Sequence, residues 1–308
     1  MNRRRFIKAG IAGVAGLSLS GVKAMPNINN ILFVDDFSID RVKLGKTGIS
    51  ISRIGMGTGT IGYNHGSNQT RLGMQSFTDL ARHAYDRGMS YFDMAESYGS
   101  HPYVGTAIKG LPREKITLCT KIWTHPTGSD KIEPVEKTLD RFRKDLGTEY
   151  IDILLMHCLM EGNWPETRQY YMDAFSKAKQ DGIIKTVGVS CHNWDAMVTA
   201  VDNPWVDVIL ARINPFTTHM DGSPQDVNNL LKRAKENGKG VIGMKIFGEG
   251  KNTTDEERSQ SLHFAIKDSN IHCMTIGVES IAQVDDLVNR AMKIVKNKNN
   301  INQKQVSL

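Results

Sequence analysis

An acid and a phenol stand five positions apart in YFDMAESYGS, residues 91–100: Asp93 closes a short apolar run and Tyr98 lies one loop step beyond it. Further along, Lys121 and Trp123 close KITLCTKIW, His157 closes YIDILLMH and Ser190 closes IKTVGVSC. A carboxylate, a phenol, an amine and an imidazole are side chains that hold and pass on protons. They could form a general acid–base site if the fold brings those run ends together. Taken singly, each has a plainer use: Asp93 and Lys121 could be a structural ion pair, and His157 a satisfied core histidine.

The elements that must position them alternate along the chain. SRIGMGT precedes a helical stretch at 77–87, MSYFDMA one at 104–108, KITLCTKIW one at 134–146 and YIDILLMH one at 166–180. IKTVGVSC leads to 195–201, VDVILARIN to 226–237, GVIGMKIF to 261–267 and IHCMTIGV to 281–295. Near-continuous apolar strands between helices predict a parallel sheet covered on its outer face. Gly88, Gly182 and Gly238 stand where a left-handed helix C-cap is favoured. Eight such units over about 250 residues fit a single-domain α/β (β/α)8 TIM barrel better than an open doubly wound sheet. The glycines of GMGTGTIG at 55–62 supply the turn of a doubly wound sheet only superficially, since no helix start follows at once. In such a barrel, function belongs to the carboxyl ends of the strands, where these residues fall.

The barrel is expected over residues 41–298, flanked by a polar linker at 25–40 and a polar, disordered tail at 299–308. Residues 1–24 read as an export signal: a basic start, a short small-residue apolar stretch and VKA before Met25. Arg3-Arg4-Arg5-Phe6-Ile7-Lys8 is similar to the twin-arginine pattern, which implies the export machinery as a partner and a periplasmic or exported location. The apolar stretch is too short for a stable membrane span. Of 39 basic residues five fall in those 24 positions, leaving 34 against 33 acidic ones, so the +6 net charge makes no case for nucleic acid. Cys119, Cys158, Cys191 and Cys273 lack C-x-x-C spacing and lie in apolar runs, where cysteine is a small buried hydrophobe; no metal site is expected. Cys158 and Cys191 are the pair for a disulfide, if any forms.

LGKTGISISRIGMGT (44–58), FDMAESYG (92–99), LCTKIW (118–123), YIDILLMH (150–157) and VGVS (187–190), in that order, resemble the aldo-keto reductase family across nearly everything after residue 41. The resemblance implies NAD(P)H-dependent interconversion of an aldehyde, ketone or sugar carbonyl and its alcohol, with Asp93, Tyr98, Lys121 and His157 as catalytic tetrad. Hydride addition leaves an alkoxide that needs a proton, the role of Tyr98. A lysine ammonium about 4 Å from the phenol, at an effective dielectric of about 20, would favour phenolate by about 4 kcal/mol and move its pKa toward neutrality. Asp93 would hold Lys121, and His157 would orient the carbonyl.

By the same resemblance Gly57, Thr58, Ser190, Met244, Lys245, Phe247, Gly248, Gly277, Glu279 and Gln283 bind the dinucleotide. The sequence departs from the family's pattern with Cys191, Leu210 and Met244 where asparagine, glutamine and an aromatic are usual. Glu279 and Gln283 stand where cations commonly grip the 2′-phosphate of NADP. NADP(H) is the expected cofactor as the family's usual one, with NAD(H) the alternative because of Glu279. Tyr63, Trp123 and Phe216, with His65 and Trp164, are the candidate walls of an apolar substrate pocket. A second reading of the site is a nicotinamide-binding sensor or structural module with little turnover.

Overall fold

The computed structural model describes residues 38–125 and 133–306. The signal-like segment 1–24, residues 25–37 of the linker and the last two residues of the tail lie outside the described residues. A short antiparallel hairpin, β1 (Arg41–Lys43) and β2 (Ser50–Ser52), comes first. Eight parallel strands then close into a barrel: β3 (Ile54–Gly57), β4 (Tyr91–Asp93), β5 (Thr117–Trp123), β6 (Ile151–Leu159), β7 (Ile184–Cys191), β8 (Val208–Arg212), β9 (Gly240–Met244) and β10 (Cys273–Gly277). β10 pairs back onto β3, Gly277 opposite Gly57. The single-domain (β/α)8 barrel expected from the alternation of runs is the fold observed.

Because side chains alternate across a strand, each run feeds two cores. Leu118, Leu154, Val187 and Ile209 face the helical shell, while Cys119, Ile153, Leu155, Val208, Leu210, Ile242 and Cys273 fill the barrel interior. The hairpin, which no periodicity announces, plugs the end of the barrel remote from the strands' carboxyl ends. Leu44 and Ile51 are fully buried against the interior set, and Lys46 N–H donates to Gly238 O in the loop before β9.

The shell begins with α1 (Asn68–Arg71), α2 (Met74–Asp86), α3 (His101–Ile108), α4 (Val135–Leu146) and α5 (Trp164–Thr167). It continues through α6 (Gln169–Gln180), α7 (Trp194–Asp202), α8 (Pro224–Glu236), α9 (Asp255–His263) and α10 (Ile281–Val306). In α8 the buried residues Val227, Leu230, Leu231 and Ala234 repeat at three and four, one stripe on a polar helix; a fully buried leucine there contributes about 1.5–3 kcal/mol. Ser223 caps its start, its hydroxyl accepting from Asp226 N–H, with Pro224 in the first turn. Gly88, Gly182 and Gly238 do adopt left-handed backbone after their helices.

Two helices depart from expectation. The seventh crossover starts at Asp255, six residues before position 261. A capping box sets that start: Thr254 Oγ1 accepts from Glu257 N–H and the Glu257 carboxylate accepts from Thr254 N–H. The first two turns, DEERSQS, carry no apolar stripe and so gave no periodic signal. α10 continues to Val306, through most of the tail read as disordered. Between Ile281 and Val306 there is no glycine or proline to interrupt the hydrogen-bond ladder, so an established helix propagates. Among the described residues, no helix is long and apolar enough to cross a membrane.

Candidate active site

The strand ends converge as the alternation requires. The last inward positions are Gly57 on β3, Asp93 on β4, Lys121 and then Trp123 on β5, His157 on β6, Ser190 on β7, Arg212 on β8, Met244 on β9 and Gly277 on β10. Register ties them together, with Gly57 opposite Asp93, Trp123 opposite His157 and Arg212 opposite Met244.

Lys121 is 1% exposed and its three donors are all engaged: Nζ donates to Asp93 Oδ1 at 2.8 Å, to Oδ2 at 2.9 Å and to Met94 O at 2.7 Å. Tyr91 Oη adds a hydrogen bond to Asp93 Oδ1 at 3.2 Å. Burial alone would lower the Lys121 pKa, but the field of Asp93, helped by Tyr98, overrides it and holds the ammonium charged. Tyr98 follows on the short 3-10 turn Glu96–Tyr98, its ring lining the cleft. The ammonium lies over that ring, 5.1 Å from its centroid.

The tetrad therefore assembles, with one correction to its electrostatics. The phenol is not acidified: burial raises its pKa above the ordinary tyrosine value, Lys121 opposes this only in part, and Asp93 adds to the rise. Lys121 spends its three protons on oxygens of Asp93 and Met94, so the field reaching Tyr98 is that of a nearly neutralised pair. His157 lies next to the phenol, Nε2 3.4 Å from Tyr98 Oη, the rings edge-on at 5.6 Å. Burial, with Lys121, His192, His125 and Lys245 nearby, pushes its pKa well below the usual histidine range, so the ring is neutral.

Two glycines hold the Tyr98 ring. A Cβ on Gly59 would lie 2.2 Å from Tyr98 Cε2, and one on Gly62 would lie 2.4 Å from Cδ1, so the loop after β3 is a flat shelf only because side chains are missing there. Gly62 N–H donates to Gly59 O at 3.0 Å and closes the shelf. Gly62→Ala is expected to displace the phenol and lower kcat about 10²-fold, with dinucleotide affinity unchanged. Steady-state kinetics beside a binding titration check this; an unaltered kcat would mean the ring is held elsewhere.

A cleft of about 620 Å³, within the range of ligand pockets, opens beside Asp93 and Tyr98. Gly57, Met244, Lys245, Phe247, Gly277, Glu279 and Gln283, seven of the ten residues named from the resemblance, line it. Ser190 is fully buried at the end of β7, and its hydroxyl has no partner; nor has that of Thr275, which lines the cleft. Buried hydroxyls without partners are costly unless a ligand satisfies them, so the Thr275 hydroxyl on this apolar-floored cleft fits a nicotinamide dinucleotide. Three of the ten residues named from the resemblance, Ser190, Thr58 and Gly248, are not among the lining residues. Thr58 Oγ1 donates to Asp93 O at 2.8 Å with Ser100 Oγ also at 2.8 Å, so it braces the end of β4. Gly248 is buried behind the lining, beside Asn252 and Thr218.

The aromatic wall is only partly as expected. Trp123 is 39% exposed and packs edge-on to His157 at 5.6 Å, so it reaches the reacting end. Tyr63 and His65 stand exposed on the loop after β3, and Phe216 is part-buried on the loop after β8; none of the three lines the cleft. Trp164 is fully buried against Trp205, its indole N–H donating to Ala196 O, and forms no pocket. Around His157 the wall is polar: His125 Nε2 donates to Cys158 O at 2.6 Å while its Nδ1 accepts from Arg168 Nη2 at 3.4 Å, and Arg212 donates to His192 O at 2.9 Å and is paired with Asp221. Sequence reading missed Arg212 although Leu210 was noted; counting two positions on from an interior residue would have placed it. All four cysteines are free thiols, Cys119, Cys191 and Cys273 buried and Cys158 part-buried. Among the described residues, no group of three His, Cys, Asp or Glu side chains could hold a metal.

Comparison with known proteins gives three findings. The model of the Aldo/keto reductase family matches residues 53–308. L-galactose dehydrogenase of Arabidopsis thaliana is 26% identical over 268 residues, covering 82% of this chain and 81% of that protein. A methylglyoxal reductase of Salmonella typhimurium is 28% identical over 176 residues, 56% of this chain and 62% of its own length. Among solved structures, a putative aldo-keto reductase from Pseudomonas superposes with a TM-score of 0.68 at 18% identity, covering 85% of this chain and all of that one. A Klebsiella pneumoniae aldo/keto reductase solved with NADP and acetate superposes with a TM-score of 0.63 at 19% identity, over 82% of this chain and 90% of its own.

Proposed function

The chain belongs to the aldo/keto reductase family and is an NAD(P)-dependent oxidoreductase, and from that premise we propose that it reduces a small aldehyde, ketone or sugar carbonyl with Tyr98 as proton donor. The observation that carries the reading is the set Asp93–Lys121–Tyr98–His157, closed by direct contacts at the mouth of the barrel. Gly57, Met244, Lys245, Phe247, Thr275, Gly277 and Gln283, which line the cleft, are the residues that would hold the dinucleotide. Bound there, a nicotinamide ring supplies or accepts the hydride.

The chain's own residues do the rest. Tyr98 Oη hands its proton to the alkoxide oxygen, and the Lys121 ammonium over its ring stabilises the phenolate left behind; at about 5 Å and an effective dielectric of about 20 that attraction is about 3 kcal/mol before Asp93 offsets part of it. His157, neutral and beside the phenol, offers a hydrogen bond that aims the carbonyl oxygen at Tyr98. Trp123 packs edge-on against His157 and fixes the position of that ring.

The pKa directions give a test. Tyr98 is raised, so it keeps its proton below about pH 10; His157 is lowered, so it stays neutral throughout the ordinary histidine range and below it. Between about pH 7 and 9 neither titrates, and kcat/KM for reduction should be flat, while the reverse oxidation, which needs the phenolate, should speed up as pH rises. A bell-shaped reduction profile centred near neutrality would contradict the assignment.

Export completes the proposal and is supported by the sequence of residues 1–24 alone. Cell fractionation should find the protein outside the cytoplasm, and replacing Arg3 and Arg4 by lysine should retain it inside; a cytoplasmic parent protein removes this element and leaves the chemistry standing.

A further inference from the structure

On the side formed by α9 and the start of α10, the cleft is lined by Glu279, Gln283, Asp286 and Arg258. Glu279 is held in place: Asn68 Nδ2 of α1 donates to its Oε1 at 2.9 Å, and its backbone N–H donates to Gln283 Oε1 at 2.7 Å. Its second oxygen has no protein donor among those bonds and remains available to a ligand. Among the described residues lining the cleft, the cations are Arg258 and Lys245, and both are already engaged. Arg258 Nε donates to Asp286 Oδ2 at 3.1 Å, Nη2 to Asp255 Oδ1 at 3.2 Å and Nη1 to Thr253 O. Lys245 is paired with Glu249. The N-terminal amides of α10, where an anion would otherwise gain, are partly capped from within, Gln283 N–H by Ser280 Oγ at 3.2 Å and Glu279 N–H by the Gln283 side chain.

We infer that this side of the cleft selects the dinucleotide with a free 2′-hydroxyl on its adenosine ribose, NAD(H), over the 2′-phosphorylated form, and that Glu279 makes the selection. The inference rests on the dinucleotide reading above. A 2′-phosphate carries close to two negative charges at neutral pH and three strong acceptor oxygens. Set against Glu279 and Asp286 it meets carboxylates, and to gain a guanidinium partner it must draw Arg258 away from two acids. A hydroxyl brings no charge and one donor, and a carboxylate has acceptor sites to spare beyond the one Asn68 uses. Discrimination then comes from repulsion of the wrong ligand as much as from attraction of the right one.

The test is a calorimetric or fluorescence titration of the purified protein, without carbonyl substrate, by NADH and by NADPH at one ionic strength. NADH is expected to bind at least tenfold tighter. In Glu279→Lys the order should reverse, by weaker NADH and tighter NADPH binding. Should that variant fail to fold by circular dichroism, Glu279→Gln, which keeps the shape and removes the charge, should cut the preference at least threefold. Equal or tighter binding of NADPH by the parent protein, or a ratio that neither variant moves, overturns the selection and leaves the reductase reading intact. Binding of neither dinucleotide overturns both.

Discussion

Tyr98→Phe should lose about 10³-fold in the rate of carbonyl reduction, with KM and dinucleotide affinity little changed. Proton transfer by a positioned side chain is worth about 10²–10⁴-fold, and Tyr98, which lines the cleft with its Oη beside His157, is the proposed donor. The phenyl ring fills the same shelf over Gly59 and Gly62, so the loss reports the missing proton rather than a collapsed loop. His157 cannot take over: it is neutral, and its pKa lies well below the range in which it would carry a spare proton. A mutation that removes an interaction made only in the transition state lowers kcat and kcat/KM together, and single-turnover measurement with preloaded dinucleotide separates that from slow product release. Retention of most of the single-turnover rate would show that water or another residue protonates the alkoxide.

Asp93→Ala is expected to be the most destabilising single change in the site. Lys121 is buried to 1% exposure, and Asp93 supplies two of its three acceptors, so truncating the acid leaves an ammonium in the barrel interior with only Met94 O. Removing one partner of a buried pair costs about 3–5 kcal/mol, because the charge left behind has lost both water and its counter-ion. At about 2–4 °C per kcal/mol for a domain of this size, the melting temperature should fall by about 6–20 °C. Asp93→Asn combined with Lys121→Met removes both charges at near-constant volume and should recover more than half of that loss while remaining inactive. Thermal unfolding of the three proteins measures it. A single mutant as stable as the parent would mean that water reaches Lys121, and a double mutant no better than the single would mean that the cost lies in packing rather than in charge.

The period of apolar residues was enough to read eight strands and their helices, because burial on one or both faces writes itself directly into a chain at intervals of two or three and four. That reading also placed Asp93, Lys121, His157 and Ser190 at one end of the barrel, since each closes such a run and a parallel barrel gathers its strand ends at one face. The hairpin at 41–52 and the start of α9 escaped it for opposite reasons. The hairpin's Leu44 and Ile51 are buried by the barrel floor rather than by a partner helix, and α9 begins on a capping box within a wholly polar stretch.

What the sequence by itself determined is which groups stand at the mouth of the barrel and on which strand each stands. What only the tertiary structure decided is their electrostatic state and their use. Proximity in three dimensions places both oxygens of Asp93 on Lys121 and so leaves Tyr98 a weak acid, ties Thr58 to the end of β4, hides Trp164 behind Trp205, and occupies Arg258 and Lys245 with carboxylates. A pKa or a charge preference depends on distances of a few ångströms and on the water excluded around them, and residues 28 or 211 positions apart, as Lys121 is from Asp93 and Glu279 from Asn68, acquire those distances only when the barrel closes.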